Sequence, residues 1–129
     1  MAQSPRVQLA YVIFENLNRI EAPAWRAAVA ETSEHRRRGL LGRASLPPGE
    51  ALWILPCESV HTIGMRFPID VLFLSRDERV LKIRTHMRAW KVSACLRAHS
   101  VLELPAGTAD FTGTRPGDQL RTTDLAPGD

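Results

Sequence analysis

Short apolar runs separated by turn-forming residues recur along the chain, and this pattern is typical of a protein built from β-strands. Residues 100–104 alternate clearly: Val101 and Glu103 lie on one side of a predicted strand, and Leu102 and Leu104 lie on the other. Eight strands are predicted in this way, over residues 7–14, 25–30, 51–55, 59–63, 70–74, 80–84, 100–104 and 119–122.

One helix is predicted between the second and third strands. Thr32 or Ser33 is a suitable N-cap, and the helix runs to about Leu41, although Gly39 weakens it by up to about 1 kcal/mol. A further helical turn is expected at residues 108–112. Together these elements indicate a mostly β member of the α+β class, either a compact small barrel or a two-sheet domain with one short helix.

A chain of 129 residues suits one domain, and it is long enough to bury a core without a disulfide or a metal ion. We expect a single domain over residues 1–129, with flexible tails at 1–6 and 123–129. No apolar run approaches the roughly 18 residues of a membrane helix, and no targeting segment is evident. The chain is therefore expected to be cytoplasmic, without a membrane partner and with two reduced cysteines.

The charge distribution argues against nucleic acid as a partner. The 17 basic residues, of which only Lys82 and Lys91 are lysines, are interspersed with 14 acidic residues. An aromatic content of 6% does not favour a stacking platform for single strands. The one basic run, Arg36, Arg37 and Arg38, fans around the predicted helix, so a solvated helix face is the favoured interpretation. A contact to a phosphate or to an acidic partner is the alternative.

Four segments, in this order and spacing, resemble one known family. They are Arg38-Gly39-Leu40-Leu41-Gly42-Arg43, His61-Thr62-Ile63-Gly64-Met65-Arg66-Phe67-Pro68-Ile69-Asp70, Val101-Leu102-Glu103-Leu104-Pro105-Ala106-Gly107 and Arg115-Pro116-Gly117-Asp118-Gln119-Leu120. The ordered set resembles the bacterial and archaeal domain-of-unknown-function family 192 over about residues 25–121, in the branch that carries Cys57 and Cys95. The resemblance implies a small β-rich domain with one short helix, in a cytoplasmic rather than a secreted form, and it implies no activity.

The densest chemistry lies around a turn that contains Gly64 and Pro68 and leads into the strand at 70–74. No phosphate loop, dinucleotide fingerprint, metalloprotease motif or nucleophile elbow accompanies it, so the chain offers no recognisable catalytic template. Our first hypothesis is a non-catalytic domain that binds a small molecule or a protein partner. Its predicted pocket comprises Cys57, His61, Met65, Arg66, Asp70, Cys95 and Glu103.

The alternative hypothesis is a metal-binding or thiol-redox protein. Cys57 and His61 are four residues apart, as are Cys95 and His99, so two thiols and two imidazoles are available for a tetrahedral zinc site. Structural zinc sites usually space their cysteines more tightly, and buried structural thiols are the favoured interpretation. No cofactor is otherwise expected.

Two carboxylates each admit a structural and a functional interpretation. Asp70 either orients His61 as a general base in a hydrolase-like enzyme or, as we favour, hydrogen-bonds backbone amides near a turn. Glu103 lies within an apolar strand, where it is either solvated or buried with a partner such as Arg66 or His61. A buried Glu103 with a raised pKa would mark a functional site.

Overall fold

The computed structural model describes residues 9–125, which form nine strands and two short helices. In chain order these are β1 Ala10–Asn16, β2 Trp25–Ala30, α1 Ser33–Arg38, β3 Glu50–Ile54, β4 Ser59–His61, β5 Ile69–Leu74, β6 Val80–Met87, β7 Val92–Ala94, β8 Ser100–Pro105, α2 Thr108–Thr112 and β9 Leu120–Asp124. None of the helices in this part of the chain is long and apolar enough to cross a membrane.

Seven strands form one curled sheet in the order β6-β5-β8-β3-β2-β1-β9. Neighbouring strands are antiparallel except for β2 and β3, which are parallel. The two edge strands approach each other at one end, where Arg79 bridges to Gln119 and the Val80 amide donates to the Asp118 carbonyl at 2.8 Å. The sheet is therefore a half-barrel, and a second sheet of β4 and β7 accompanies it. This confirms the mostly β fold that the sequence predicted.

The inside of the curl is filled by side chains from all seven strands of the large sheet. Alternation along each strand sends every second residue to this side. The largest contributors have little or no exposed surface, and β5 is buried along its whole length. This inner core comprises Val12, Phe14, Trp25, Ala27, Val29, Ala51, Leu72, Leu74, Val80, Leu102, Leu104 and Leu120.

The other face of the large sheet carries a second core. It is covered by β4 and by the segments that follow α1 and β4, which contribute Leu40, Leu46, Val60 and Met65. The large sheet contributes the remaining buried residues of this outer core, Ala28, Ala30, Leu52, Ile54, Ile69, Val71, Phe73, Met87 and Val101. The candidate ligand-binding cleft lies on this outer face.

Several predicted elements are confirmed with small changes in their bounds. The strand at 25–30 and the helical turn at 108–112 have the predicted limits, and the strand at 100–104 is one residue longer. The predicted alternation in β8 is also confirmed, because Val101 belongs to the outer core and Leu102 and Leu104 belong to the inner core.

Other elements differ from prediction for identifiable reasons. The helix ends at Arg38 rather than near Leu41, because Gly39 adopts a φ of +48° and stops it. β6 continues to Met87 through two irregularities in its register with β5. β7 was not predicted, and β9 extends to Asp124, within the stretch predicted as a tail. The predicted tail at 1–6 and residues 126–129 lie outside the described residues.

Candidate ligand-binding cleft

A cleft of about 270 Å³ opens between α1 and β4 on the outer face of the large sheet. We call it the α1–β4 cleft. Its floor is apolar and consists of Leu40, Ile54, Val60 and Met65, each at most 9% exposed. Along β4 the buried Val60 alternates with exposed neighbours, so His61 stands at the edge of the cleft beside this floor. The cleft thus joins an apolar floor to a polar rim.

Glu103 lines the cleft from the large sheet, and it is only 5% exposed. Strand pairing places it opposite Leu52 of β3 and Val71 of β5, both of which belong to the outer core. No other residue between 9 and 125 supplies its carboxyl with a hydrogen bond or an ion pair, so neither predicted partner, Arg66 or His61, is bonded to it. Burial raises the pKa of the Glu103 carboxyl to about 7.

Gly39 brings the backbone close to this carboxyl. A Cβ atom at position 39 would lie 3.9 Å from Glu103 Oε1, and the φ of +48° there is one that residues with a side chain rarely adopt. The glycine therefore ends α1 and lets the chain turn directly over Glu103. This accounts physically for the glycine in the Arg38-Gly39-Leu40 segment.

Three arginines form the wall of the cleft on the α1 side. The Arg36 guanidinium donates to the Glu31 carbonyl and, at 3.4 Å, to Ser33 Oγ, and Arg37 Nε donates to the Ser33 carbonyl at 3.3 Å. Arg37 and Arg38 are exposed, as the solvated-face interpretation predicted. Sequence reasoning nevertheless missed their place beside a cleft. The signal was available, because the run leads directly into the Gly39-Leu40 turn.

Cys57 lies in the same cleft as a half-buried thiol. Its Sγ donates to the Ser59 carbonyl at 3.1 Å. Burial raises the pKa of the Cys57 thiol, and Glu103 raises it further, whereas the Ser59 hydrogen bond and Arg36 lower it. The group is therefore a neutral thiol at pH 7 rather than an activated thiolate.

Asp70 lies on the opposite face of the sheet from the cleft. Its partner across the strands is Leu104 of the inner core, whereas Glu103 faces the outer core. The buried carboxylate accepts the His86 amide at 2.9 Å and the Ala109 amide at 2.8 Å, which fastens β6 and α2 to β5. Asp70 therefore does not pair with His61, and it binds backbone amides in more distant elements than the turn that was predicted.

The other predicted site residues divide between the cleft and its surroundings. Met65 lines the cleft, whereas Arg66 is exposed and is not part of its lining. Cys95 packs half-buried against the outer core, and its amide donates to the Glu58 carbonyl at 2.8 Å. The structure therefore gathers four of the seven predicted pocket residues in this cleft: Cys57, His61, Met65 and Glu103.

The predicted zinc ligands Cys57, His61, Cys95 and His99 are not gathered into one shell. Across residues 9–125, no three or more His, Cys, Asp or Glu side chains are grouped so that they could hold a metal ion. The Cys57 amide donates to the His99 carbonyl at 2.9 Å, so their backbones are neighbours. Both cysteines are free thiols.

Comparisons with known proteins identify relatives without a known activity. A model of a family described as "Uncharacterized ACR" matches residues 16–122, beginning earlier than the predicted 25. A UPF0127 protein of Thermococcus sibiricus is 29% identical over 115 residues, which cover 81% of this chain and 71% of that protein.

Two solved structures share the fold. A protein of unknown function from Novosphingobium aromaticivorans has a TM-score of 0.75 at 24% identity, covering 93% of this chain and 91% of its own. A protein of Sinorhizobium meliloti, described as a candidate transcription regulator, has a TM-score of 0.78 at 21% identity, covering 94% of this chain and 100% of its own. At these identities the similarity establishes the fold alone.

Proposed function

The chain belongs to domain-of-unknown-function family 192, as its resemblance predicted, and we propose that it is a non-catalytic binding domain whose α1–β4 cleft takes a small organic ligand. One observation carries this proposal. Glu103 is a buried carboxyl that has no partner among residues 9–125 and that lines an open cleft. An unpartnered buried carboxyl destabilises the fold, and strained or costly groups of this kind persist where they serve a function.

The surroundings of Glu103 support binding more than catalysis. A catalytic nucleophile needs an adjacent base, and the Cys57 thiol donates instead to a backbone carbonyl. His61 lines the same cleft, but Asp70, its predicted orienting carboxylate, is engaged elsewhere. An apolar floor with a few convergent polar groups is the usual composition of a small-molecule site.

The metal or thiol-redox alternative has weaker support. A redox cysteine needs a lowered pKa, and burial raises the pKa of Cys57. Zinc binding by Cys57, His61, Cys95 and His99 stays a prediction. We propose that the protein acts in the cytoplasm, where free thiols such as Cys57 and Cys95 stay reduced.

Methyl NMR on the full chain tests the proposal. A library of neutral, anionic and cationic fragments is added to protein labelled at its methyl groups. We expect binding fragments to shift the cleft methyls of Leu40, Val60 and Met65, while Val12 and Leu120 of the inner core stay unchanged.

A Glu103→Leu variant provides the matched control, because it removes the polar anchor and keeps the strand apolar. Fragments that bind wild type through Glu103 should bind this variant at least tenfold more weakly. The Glu21→Gln variant, which changes an exposed carboxylate, should bind the same fragments as tightly as wild type does. A library in which no fragment shifts the cleft methyls would contradict the proposed function.

A further inference from the structure

We propose that the ligand of the α1–β4 cleft is a small organic anion, with an oxyanion head at the arginine wall and an uncharged hydrogen-bond acceptor against the Glu103 carboxyl. The head is a carboxylate or a phosphate monoester, since arginine forks bind both. This inference rests on the proposed function and specifies the chemical class of the ligand.

The α1 wall selects for a negatively charged head. Arg36, Arg37 and Arg38 all line the cleft, and the contacts from Glu31 and Ser33 occupy only some of the five donors on each guanidinium. Hydrogen bonds to Glu31, just before α1, and to Ser33, its first residue, hold Arg36 and Arg37 in place, so part of the entropy cost of ordering these side chains is met before a ligand binds. The same three positive charges would repel a cationic ligand.

The floor selects for an apolar body of limited size. Leu40, Ile54, Val60 and Met65 contribute only aliphatic and thioether groups to the lining of the cleft. A volume of about 270 Å³ lies just below the range of roughly 300–1,000 Å³ found for drug-sized ligands. The body is therefore a short chain or a single ring.

Glu103 selects for an uncharged acceptor. The titratable and charged groups that line the cleft with it are the three arginines of α1, the Cys57 thiol and His61, whereas its neighbours in β3 and β5 are Leu52 and Val71. With no donor bonded to it, the carboxyl is most stable as a neutral acid, and the acid has one O–H to donate. A carbonyl or amide oxygen on the ligand would accept that proton in a hydrogen bond.

A ligand ammonium at the same place is the less favourable match. It would lie in a cleft that is also lined by three arginines, and it would form a buried ion pair whose desolvation cost offsets much of the attraction. The two cases have opposite pH dependence. An acceptor binds the acid form of Glu103 and loses affinity as the pH rises, whereas an ammonium binds the carboxylate and gains affinity.

Binding of three carboxylates to the full chain separates these cases. The probes are 5-oxohexanoate, hexanoate and 6-aminohexanoate, measured by calorimetry at pH 6 and at pH 8.5. We expect 5-oxohexanoate to bind about tenfold more tightly than hexanoate at pH 6, because a tenfold difference in affinity corresponds to the contribution of one hydrogen bond to a buried group. Its affinity should fall roughly tenfold or more by pH 8.5, because little of the acid form then remains. Pentyl phosphate beside hexanoate shows which oxyanion head the wall prefers.

Two variants assign the effects to the proposed groups. Glu103→Gln keeps a donor, so it should retain the preference for 5-oxohexanoate and lose the pH dependence. Arg37→Ala combined with Arg38→Ala should weaken all the acids, and Arg97→Ala, an exposed arginine outside the cleft lining, should not. The wild-type series needs no variant to fold, so the test stands without them.

Two results would overturn the inference. One is tighter binding of 6-aminohexanoate than of 5-oxohexanoate, or an affinity that rises with pH. The other is a cleft whose methyl signals respond to neutral or cationic fragments and to none of the acids, in which case ligand binding stands and the anion class is wrong. If no fragment of any charge shifts those signals, both the inference and the proposed function fail.

Discussion

Glu103 combines two properties that proteins seldom combine without a reason. It occupies a strand position between Leu52 and Val71 that an aliphatic side chain would fill well, and it carries a carboxyl without a bonded partner among residues 9–125. The cost of burying the charged form appears as a pKa raised from 4.5 to about 7. The residue therefore lowers stability near neutral pH in exchange for a polar group in the cleft.

The pH dependence of unfolding measures that cost. A group whose pKa is raised in the folded state binds more protons folded than unfolded, so its contribution is intact below about pH 4.5 and is lost as the pH rises to about 7. We expect the free energy of unfolding of Glu103→Gln, relative to that of wild type, to rise by about 3 kcal/mol across this interval. Urea unfolding at pH 4.5, 6 and 8 gives the difference. Glu21→Gln, at an exposed site, should show no such slope, and a flat difference for Glu103→Gln would mean that the carboxyl is solvated.

Asp70 shows the opposite arrangement, in which a buried carboxylate is satisfied by the backbone. Its oxygens accept the amides of His86 and Ala109, so Asp70→Ala leaves one partly buried donor and one buried donor without an acceptor. We expect a loss of about 2–5 kcal/mol in the free energy of unfolding. The matched control is Asp110→Ala in α2, the helix that contains Ala109; its carboxylate is exposed, and its removal should cost no more than about 0.5 kcal/mol. Equal losses for the two variants would contradict the structural role of Asp70.

Cys57 provides a chemical probe of the cleft. Because burial raises its pKa and half covers its sulfur, we expect iodoacetamide to modify it more slowly at pH 7.5 than it modifies the unfolded chain. Mass spectrometry of the intact protein, with Cys95→Ser to isolate the Cys57 signal, follows the rate. Reaction as fast as in the unfolded chain would place Cys57 outside the cleft and return attention to a redox role.

At the scale of elements, the residues at the two ends of α1 determine its position. Thr32 Oγ1 accepts the His35 amide at 3.0 Å at the start of the helix, and Gly39 turns the chain at its end with φ +48° and ψ −126°. That backbone conformation is accessible almost only to glycine. A helix of six residues has little stability of its own, so these two ends fix the arginine wall.

Gly39→Ala tests this view of the element. We expect a loss of about 1–3 kcal/mol from backbone strain, since a Cβ there meets no atom closer than 3.9 Å and causes no clash. Thermal unfolding gives the loss, and methyl NMR should show the shifts concentrated at Leu40 and Met65. Ser45→Ala, at an exposed site shortly after the helix, should leave both unchanged. A Gly39→Ala variant as stable as wild type would mean that this turn adopts another conformation.

The elements also show what sequence pattern can and cannot provide. β2 and β8 were predicted almost to the residue because their apolar positions are dense or alternating, which local pattern records directly. β7 was missed because Val92-Ser93-Ala94 is short, and its partner β4 lies about thirty residues earlier in the chain. The helix was predicted too long because Gly39 was treated as a weak interior residue and not as the residue that ends it.

At the scale of the whole molecule, the curled sheet separates the inner core from the α1–β4 cleft. The inner core fills the curl and includes no residue of the cleft, whereas the outer core supplies the cleft floor. The alternation of side chains between the two faces of the sheet also separates Asp70 from Glu103, because the two residues lie on adjacent strands but on opposite faces. The alternation of β8 predicted that Glu103 shares a side with Val101, but it left open whether that side is solvated or buried. The lack of a partner for Glu103 depends on how β4 and α1 dock, and no local pattern encodes that docking.

The residues of the candidate site could be predicted only in part. Cys57, His61, Met65 and Glu103 were proposed from residue chemistry and do line one cleft. Arg66 and Cys95 were included because they are near in sequence to these residues or to β8, but the structure turns Arg66 to solvent and packs Cys95 into the outer core. The arginine wall was overlooked because a charge run on a short helix is usually a solvated face.

The most direct measurement is a titration of the Glu103 carboxyl itself. Carbon-detected NMR follows that carboxyl in the full chain from pH 4 to pH 9, with Glu103→Gln to assign its signal. We expect a midpoint near pH 7, which shifts upward when 5-oxohexanoate occupies the cleft, because an acceptor stabilises the acid form. A midpoint near 4.5 would show a hydrated or paired carboxylate, and the cleft would then lack the anchor on which the proposed function depends.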